Sequence, residues 1–466
     1  MKYTILTLTL FTLFLACVPE NKEAAKNPEE KIDSIISLMT IEEKIGQMTQ
    51  VDQQFLDDIQ DISNYAIGSL LSGGGSKPDT NSFEAWANMY DKYQKIAMTS
   101  RLGIPLIYGV DAVHGHNNVK GATIFPHNVG LGCANDYELC KKVSKVTAVE
   151  VAATGINWNF SPCIAIPQNE KWGRHYEGYS EHVDIVSNMG EASIIGYQTN
   201  ELGSVNHSIV ACAKHFIGDG ATIWGTGMGN KPDKIDRGNV QISDSLIRIK
   251  YLPPYQKAID AGVGTIMASF NSINDLKCHA NGYLFNDLLK GEMGFDGFVI
   301  SDWQGIDEIP GDYKSDIVKS INAGLDMIMV PGNVKGGGQH YKTFIKLFKE
   351  AVDEGLILEE RLDGAVRRIL RIKFRSGLMD SPMADRNLLE KVGSDEHKAI
   401  AREAVQKSLV LLKNDGVLPL VSSKNYYVTG SGSDDIGKQC GGWTIKWQGA
   451  LGNITPGTSI IDGIEE

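Results

Sequence analysis

From about residue 32 to residue 381 the chain alternates short apolar runs with longer segments whose apolar residues recur every three to four positions. A short apolar run bounded by glycine or polar residues reads as a strand buried on both faces, and the longer period reads as a helix that covers it. Alternation of the two is the βαβ pattern of a parallel sheet or barrel. Strands are expected at residues 67–71, 105–110, 156–160, 209–213, 265–269, 298–301 and 325–330, with no clear eighth. Helices are expected at 138–154, 246–261 and 344–354, among others. Most of the strands end in polar or charged groups: Asp111 and His114, Asn159, Lys214 with His215, Asn271, and Asp302. An α/β barrel gathers its chemistry on one rim in this way; an open doubly wound sheet also places ligands at strand C-termini.

The pattern changes after Gly377. Residues 32–380 read as one barrel-like unit, 381–396 as a polar linker, and 397–466 as a second, incomplete α/β unit. That last unit begins with an amphipathic helix and continues with expected strands at 409–412 and 426–429, separated by the turn Asn414-Asp415-Gly416. It holds too little material to bury a full core of its own. Gly430-Ser431-Gly432 lacks the third glycine of a nucleotide-binding loop. At the other end, Lys2, an apolar and threonine stretch at 5–16, and Leu15-Ala16-Cys17 read as a leader. Residues 1–16 are then the signal peptide, Cys17 the lipidation site and 17–31 a tether, which makes the protein an exported lipoprotein of the periplasm or outer membrane. Cleavage as an ordinary secretory signal is the alternative.

A formal charge of −12 disfavours nucleic acid and polyanionic substrates, whose own field it repels. Neutral ligands fit better. Beyond Cys17, six cysteines remain at 133, 140, 163, 212, 278 and 440, with no CxxC spacing and no histidine clustered beside them. That is not a zinc pattern. Cys163 and Cys212 lie in apolar runs where a free buried thiol is the common case, whereas Cys133 and Cys140 are open to pairing.

Five segments carry candidate chemistry. Asp302 follows the apolar run Phe298-Val299-Ile300 and precedes Trp303; a carboxylate there cannot share the strand's burial, so it faces a cleft, as nucleophile or base, or caps the next helix. Asp111, in Gly109-Val110-Asp111, can accept two hydroxyl hydrogen bonds from one sugar ring. Arg174 offers a five-donor fork, with Glu177 close enough in sequence to hold it or merely to pair with it. Lys214 and His215 put two donors at one strand end. Trp443 and Trp447, four apart behind Gly441-Gly442, present indole faces suited to the C–H surface of a pyranose.

Taken together these motifs resemble family 3 glycoside hydrolases, the exo-acting β-glucosidases and glucan glucohydrolases. The resemblance runs from the 39–48 segment through GVDAVHG, WGR with YE, KHF with GDG, SDW and CGGWTIKWQG. It implies a TIM-like (β/α) barrel followed by the beginning of an α/β sandwich domain, and retaining hydrolysis of terminal β-D-glucosyl residues of β-glucans or gluco-oligosaccharides. By motif match Asp302 is the nucleophile, Asp111, Arg174, Lys214 and His215 hold the hydroxyls of the terminal glucose, and Trp303, Trp443 and Trp447 line the sugar slot. Phe270 belongs to the same substrate-binding set and stands where relatives often carry tyrosine, and Glu308 stands where some glucan-active relatives carry arginine. The family's acid/base glutamate lies in the second domain, and the expectation is that it falls beyond Glu466. No metal or organic cofactor is called for, since two carboxyls can do this chemistry alone. The rival readings are a β-xylosidase, a β-N-acetylglucosaminidase, and a lipoprotein that binds glycans without cleaving them. The loop Gly218-Asp219-Gly220-Ala221-Thr222 lacks the histidine that the N-acetylglucosaminidase branch uses.

Overall fold

The structure is a computed structural model that describes residues 28–228 and 234–466. The leader, Cys17 and the tether as far as residue 27 lie outside the described residues. Eight parallel strands, taken here as β1 (Thr49–Asp52), β2 (Ser69–Ser72), β3 (Ile107–Val110), β4 (Trp158–Asn159), β5 (Val210–Phe216), β6 (Thr265–Ala268), β7 (Phe298–Ile300) and β8 (Ile328–Met329), form one sheet. They pair in chain order from β1 to β7, β8 pairs with β1, and a parallel bridge from Ile300 to Met327 brings the ends together. The result is a nearly closed TIM-like barrel.

All seven expected strands are found, and the missing eighth is β1. Its sequence, Thr49-Gln50-Val51-Asp52, is mostly polar, yet every one of these residues is buried. Each polar side chain has a partner inside: Thr49 Oγ1 donates to the Ile45 carbonyl and Gln50 Nε2 to Ser69 Oγ, both at 2.8 Å, and Asp52 accepts from the Gly73 N–H at 2.9 Å. Paired polar groups can be buried at little net cost; of the three side chains only Gln50 Oε1 is left without a partner, and a search for apolar runs passes over such a strand.

The helices follow the expected periods. Tyr137–Ala153 and Tyr341–Asp353 cover the barrel almost where the pattern placed them. The helix expected at 246–261 is broken into a π-turn at Ile247–Tyr251 and an α-helix at Pro253–Asp260. Pro253 and Pro254 account for the break, since neither has an N–H to give to the preceding turn. At the N-terminal end of the barrel, Lys373 of helix Glu359–Arg375 is fully buried. Its ammonium donates to Gln47 Oε1 at 2.8 Å, Gly68 O at 2.9 Å and Pro105 O at 2.8 Å, tying together the entries to β1, β2 and β3.

Past the barrel, helix Asp395–Ser408 packs against Tyr137–Ala153, where the buried Glu150 carboxylate accepts from Thr123, Gly393 and His397. The strands expected at 409–412 and 426–429 are not found. A ladder needs a neighbour, and no described residue pairs with either segment. Leu412 and Tyr427 are each 92% exposed. Cys133 and Cys140 are both free thiols, and Cys140 is buried against Ser193, so that pairing is not made.

Candidate active site

A cavity of about 600 Å³ opens at the C-terminal ends of the strands. The nine residues assigned from the sequence to nucleophile or sugar contact all line it: Asp111, Arg174, Lys214, His215, Phe270, Asp302, Trp303, Trp443 and Trp447. Asp111 follows β3, Lys214 and His215 lie on β5, Phe270 follows β6 and Asp302 follows β7. On a regular strand two consecutive side chains point to opposite faces. The pairing of β5 with β6 shifts register between Ala213 and Phe216, and that irregularity lets Lys214 and His215 both reach the cavity.

Asp302 sits at the centre. Its Oδ1 accepts from the Trp303 N–H at 2.6 Å, while Oδ2 is buried and has no hydrogen-bond partner; His215 Nε2 is 3.6 Å away. Burial pushes the carboxyl up to about 6, and Arg174, the Trp303 N–H and Lys214 pull the other way. A carboxylate oxygen held without a protein donor, with cations around it, is left available to something that enters the cavity.

The surrounding charges are tightly held. Arg174 donates from Nε and Nη2 to the two oxygens of Glu177, at 2.9 and 2.8 Å, and from Nη2 to His215 Nε2 at 2.9 Å. A guanidinium has no acceptor, so Nε2 carries the lone pair and the His215 proton is on Nδ1, donated to Asp219 Oδ2 at 2.7 Å. His215 is therefore a neutral imidazole; burial and the charges of Arg174 and Lys214 hold it well below its usual range. Lys214 Nζ donates to Asp111 Oδ1 at 2.8 Å and lies 5.4 Å from the Trp443 ring.

The aromatic wall comes from the barrel, at Trp303, and from the later 440–447 segment, at Trp443 and Trp447. Trp443 is buried, donates its indole N–H to Glu177 at 3.1 Å, and its carbonyl accepts from Asn117 at 2.7 Å. The adjoining Ile445 N–H donates to the Asn117 carbonyl, and Thr444 meets His114 Nε2 at 3.1 Å. These bonds dock the 440–447 segment on the rim, where Trp447 is 48% exposed. Gly73 and Gly74, just past β2, make the approach possible: a Cβ on Gly73 would stand 2.7 Å from the Trp303 ring, and one on Gly74 2.6 Å from Trp447 Cβ.

Sequence reasoning missed several groups that line the same cavity, among them Gln54, Phe55, the Gly73-Gly74 pair, Arg237 and Asp307. The glycine run Gly73-Gly74-Gly75 after a strand was a readable signal; Arg237, in a loop with no periodic pattern, had none. Among the described residues no group of three or more His, Cys, Asp or Glu side chains is placed to hold a metal ion. No described helix is long and apolar enough to cross a membrane.

The architecture defines an α/β-barrel protein with a charged, aromatic-walled cavity at the strand C-termini. The glycosyl hydrolase family 3 N terminal domain matches residues 40–372, and the chain belongs to that family. It is similar to the lysosomal beta glucosidase of Dictyostelium discoideum, at 33% identity over 93% of this chain and 55% of the relative. It is also similar to a beta-xylosidase of Formosa agariphila, at 30% identity over 100% of this chain and 59% of the relative. Among solved structures, the exo-1,3/1,4-beta-glucanase from a Pseudoalteromonas species superposes with a TM-score of 0.85 at 38% identity, over 94% of this chain and 55% of that one. The chain thus spans little more than half the length of the relatives it matches.

Proposed function

We propose that this chain carries the sugar-binding barrel of a retaining exo-β-glucosidase, with Asp302 as nucleophile. The observation that carries the reading is Asp302 Oδ2, buried, without a donor, and flanked by Arg174, Lys214 and the indoles of Trp303, Trp443 and Trp447. In this reading a terminal β-glucosyl residue enters the deep end of the cavity. Asp111 and Lys214 hold adjacent hydroxyls as acceptor and donor, Arg174 holds another, and the neutral His215, expected from the sequence to hold one as well, has both ring nitrogens committed to Arg174 and Asp219 and instead fixes the place of the guanidinium. Oδ2 attacks the anomeric carbon, the glycosidic C–O bond breaks, and the electron pair leaves with the departing oxygen while an ester forms to Asp302. Water then cleaves the ester and regenerates the carboxylate.

Retention also requires a carboxyl about 5–5.5 Å from the nucleophile to protonate the leaving group. Asp111 is engaged by Lys214, and Glu308 by Arg237 and Lys277, so neither is free for that task. The sandwich-domain assignment for 397–466, with an acid/base glutamate supplied from that domain, belongs to the same proposal. So do export through the 1–16 leader and anchoring at Cys17, which rest on the sequence.

The test avoids the need for a proton donor. A 2-deoxy-2-fluoro-β-glucoside with a dinitrophenolate leaving group should add one fluoroglucosyl unit to the protein, located by peptide mass mapping on Asp302, and Asp302→Asn should take up none. Label on another residue overturns the assignment. The resemblance to a beta-xylosidase gives a second substrate reading, and the relative labelling rates of the fluoroglucoside and the matching fluoroxyloside decide between them.

A further inference from the structure

The cavity has a second charged feature, away from the Asp302 cluster. Arg237 lines it from the loop before Asn239–Val240, and the guanidinium carbon lies 4.0 Å from the centroid of the Phe270 ring. Its Nη1 is paired with Glu308 Oε1, while Glu308 Oε2 takes Lys277 Nζ at 2.9 Å. Lys277 also donates to the Phe270 carbonyl at 2.8 Å, which closes a ring of four residues. Among the described residues Nη2 has no acceptor, and Nε is 3.6 Å from Asp236 Oδ2. The backbone at Arg237 adopts φ +54°, an uncommon conformation for a residue with a side chain, and such strain persists only where the surroundings enforce it. The Arg237 side chain is 37% exposed, against 22% for Arg174 and 2% for Lys214, so it belongs to the mouth and not to the floor.

We infer that Arg237 determines specificity at the mouth: stacked on Phe270 and fixed by Glu308, its guanidinium donates to the hydroxyls of the second sugar, the one that departs when the terminal glucosyl unit is transferred. This rests on the reading of the deep end as the glucosyl site. A planar fork held through Nη1 by Glu308 and near Asp236 through Nε, with the two N–H groups of Nη2 unmatched among the described residues, is pre-organised to donate to neighbouring oxygens. Glu308 and Asp236 together offset the charges of Arg237 and Lys277, which suits a neutral sugar over an anionic one.

The experiment is calorimetric binding of glucose and of a β-thio-linked glucose disaccharide, which is not hydrolysed, to the full chain and its variants. The readout is the ratio of the glucose dissociation constant to that of the disaccharide, which isolates the second sugar. Hydrogen bonds from a charged donor place the expected fall in that ratio for Arg237→Ala at about 10-fold. Arg237→Lys, which keeps the charge but not the fork, should lose most of the same gain. Glu308→Gln leaves Arg237 in place but loosens it, and should lower the ratio by about 3-fold; it decides the matter if Arg237→Ala does not fold. An unchanged ratio in the folded variants overturns the inference, while absence of glucose binding to the unaltered chain overturns the glucosyl site first and this with it.

Discussion

Replacing Asp302 by asparagine should make the folded protein more stable at neutral pH while abolishing covalent labelling. The carboxyl is raised from 3.8 to about 6 in the fold, chiefly by burial. A folded-state value above the unfolded one means that the native state binds more protons between those pH limits. The contribution of Asp302 to stability therefore falls as pH rises from near 4 to above 6, and folding with the carboxylate charged carries a penalty of about 3 kcal/mol at pH 7. Asparagine keeps the oxygen that accepts from the Trp303 N–H and removes the charge. Urea unfolding at pH 7 should place the variant about 2–3 kcal/mol above the unaltered protein, and the gap should close below pH 4, where the carboxyl is protonated in both states. The same ionisation governs chemistry: labelling by the fluoroglucoside should slow about 10-fold from pH 7 to pH 5. A variant less stable than the parent at pH 7, or a labelling rate flat across that interval, would refute the picture of a desolvated, unpaired nucleophile.

Two further outcomes test the scaffold. Gly74→Ala should cost about 1–3 kcal/mol and weaken disaccharide binding more than glucose binding, because the new methyl meets the backbone of Trp447, at 2.7 Å from its nitrogen, and not a movable side-chain tip. Unaltered unfolding and binding in that variant would show that the 440–447 segment is not seated on Gly74. Lys373→Met should lower the unfolding free energy by about 3 kcal/mol or more, since Gln47, Gly68 and Pro105 lose their buried donor together, with no change in the labelling rate of the folded fraction. An unshifted urea midpoint would count against Lys373 Nζ, whose pKa burial pulls down to about 7, as the tie between the strand entries.

The barrel was legible because seven of its strands read as short apolar runs, five of them ending in the polar groups named above, a pattern set by burial on both faces and by the rim. Thr49–Asp52 escaped because its partners, not its side-chain hydrophobicity, make it compatible with the interior. Segments 409–412 and 426–429 erred in the opposite sense: Leu411 and Leu412 have the composition of a strand, but composition cannot supply a neighbouring strand to bond with. At the site, Asp302, Asp111 and the Lys214-His215 pair were readable from their position at the ends of strands. Arg237 was not, for its role arises from Phe270 and Glu308, which lie 33 and 71 positions away in the chain and are brought together only by the fold.

One carboxylate couples the barrel to the 440–447 segment at the cavity. Glu177 accepts two hydrogen bonds from Arg174, which in turn donates to His215, and a third from the Trp443 indole. Burial raises its pKa, but Arg174 and Lys214 outweigh that and hold it below the ordinary glutamate range. An ionised Glu177 thus sets the plane of the guanidinium beside Asp302 and the seat of the indole over Lys214 at the same time. Loss of the 440–447 segment would remove one of its three donors and expose the Arg174 pair to water, where such a pair is worth far less. The guanidinium beside Asp302 and the indole of Trp443 are for this reason a single structural unit, although the chain supplies them from positions 174–177 and 443.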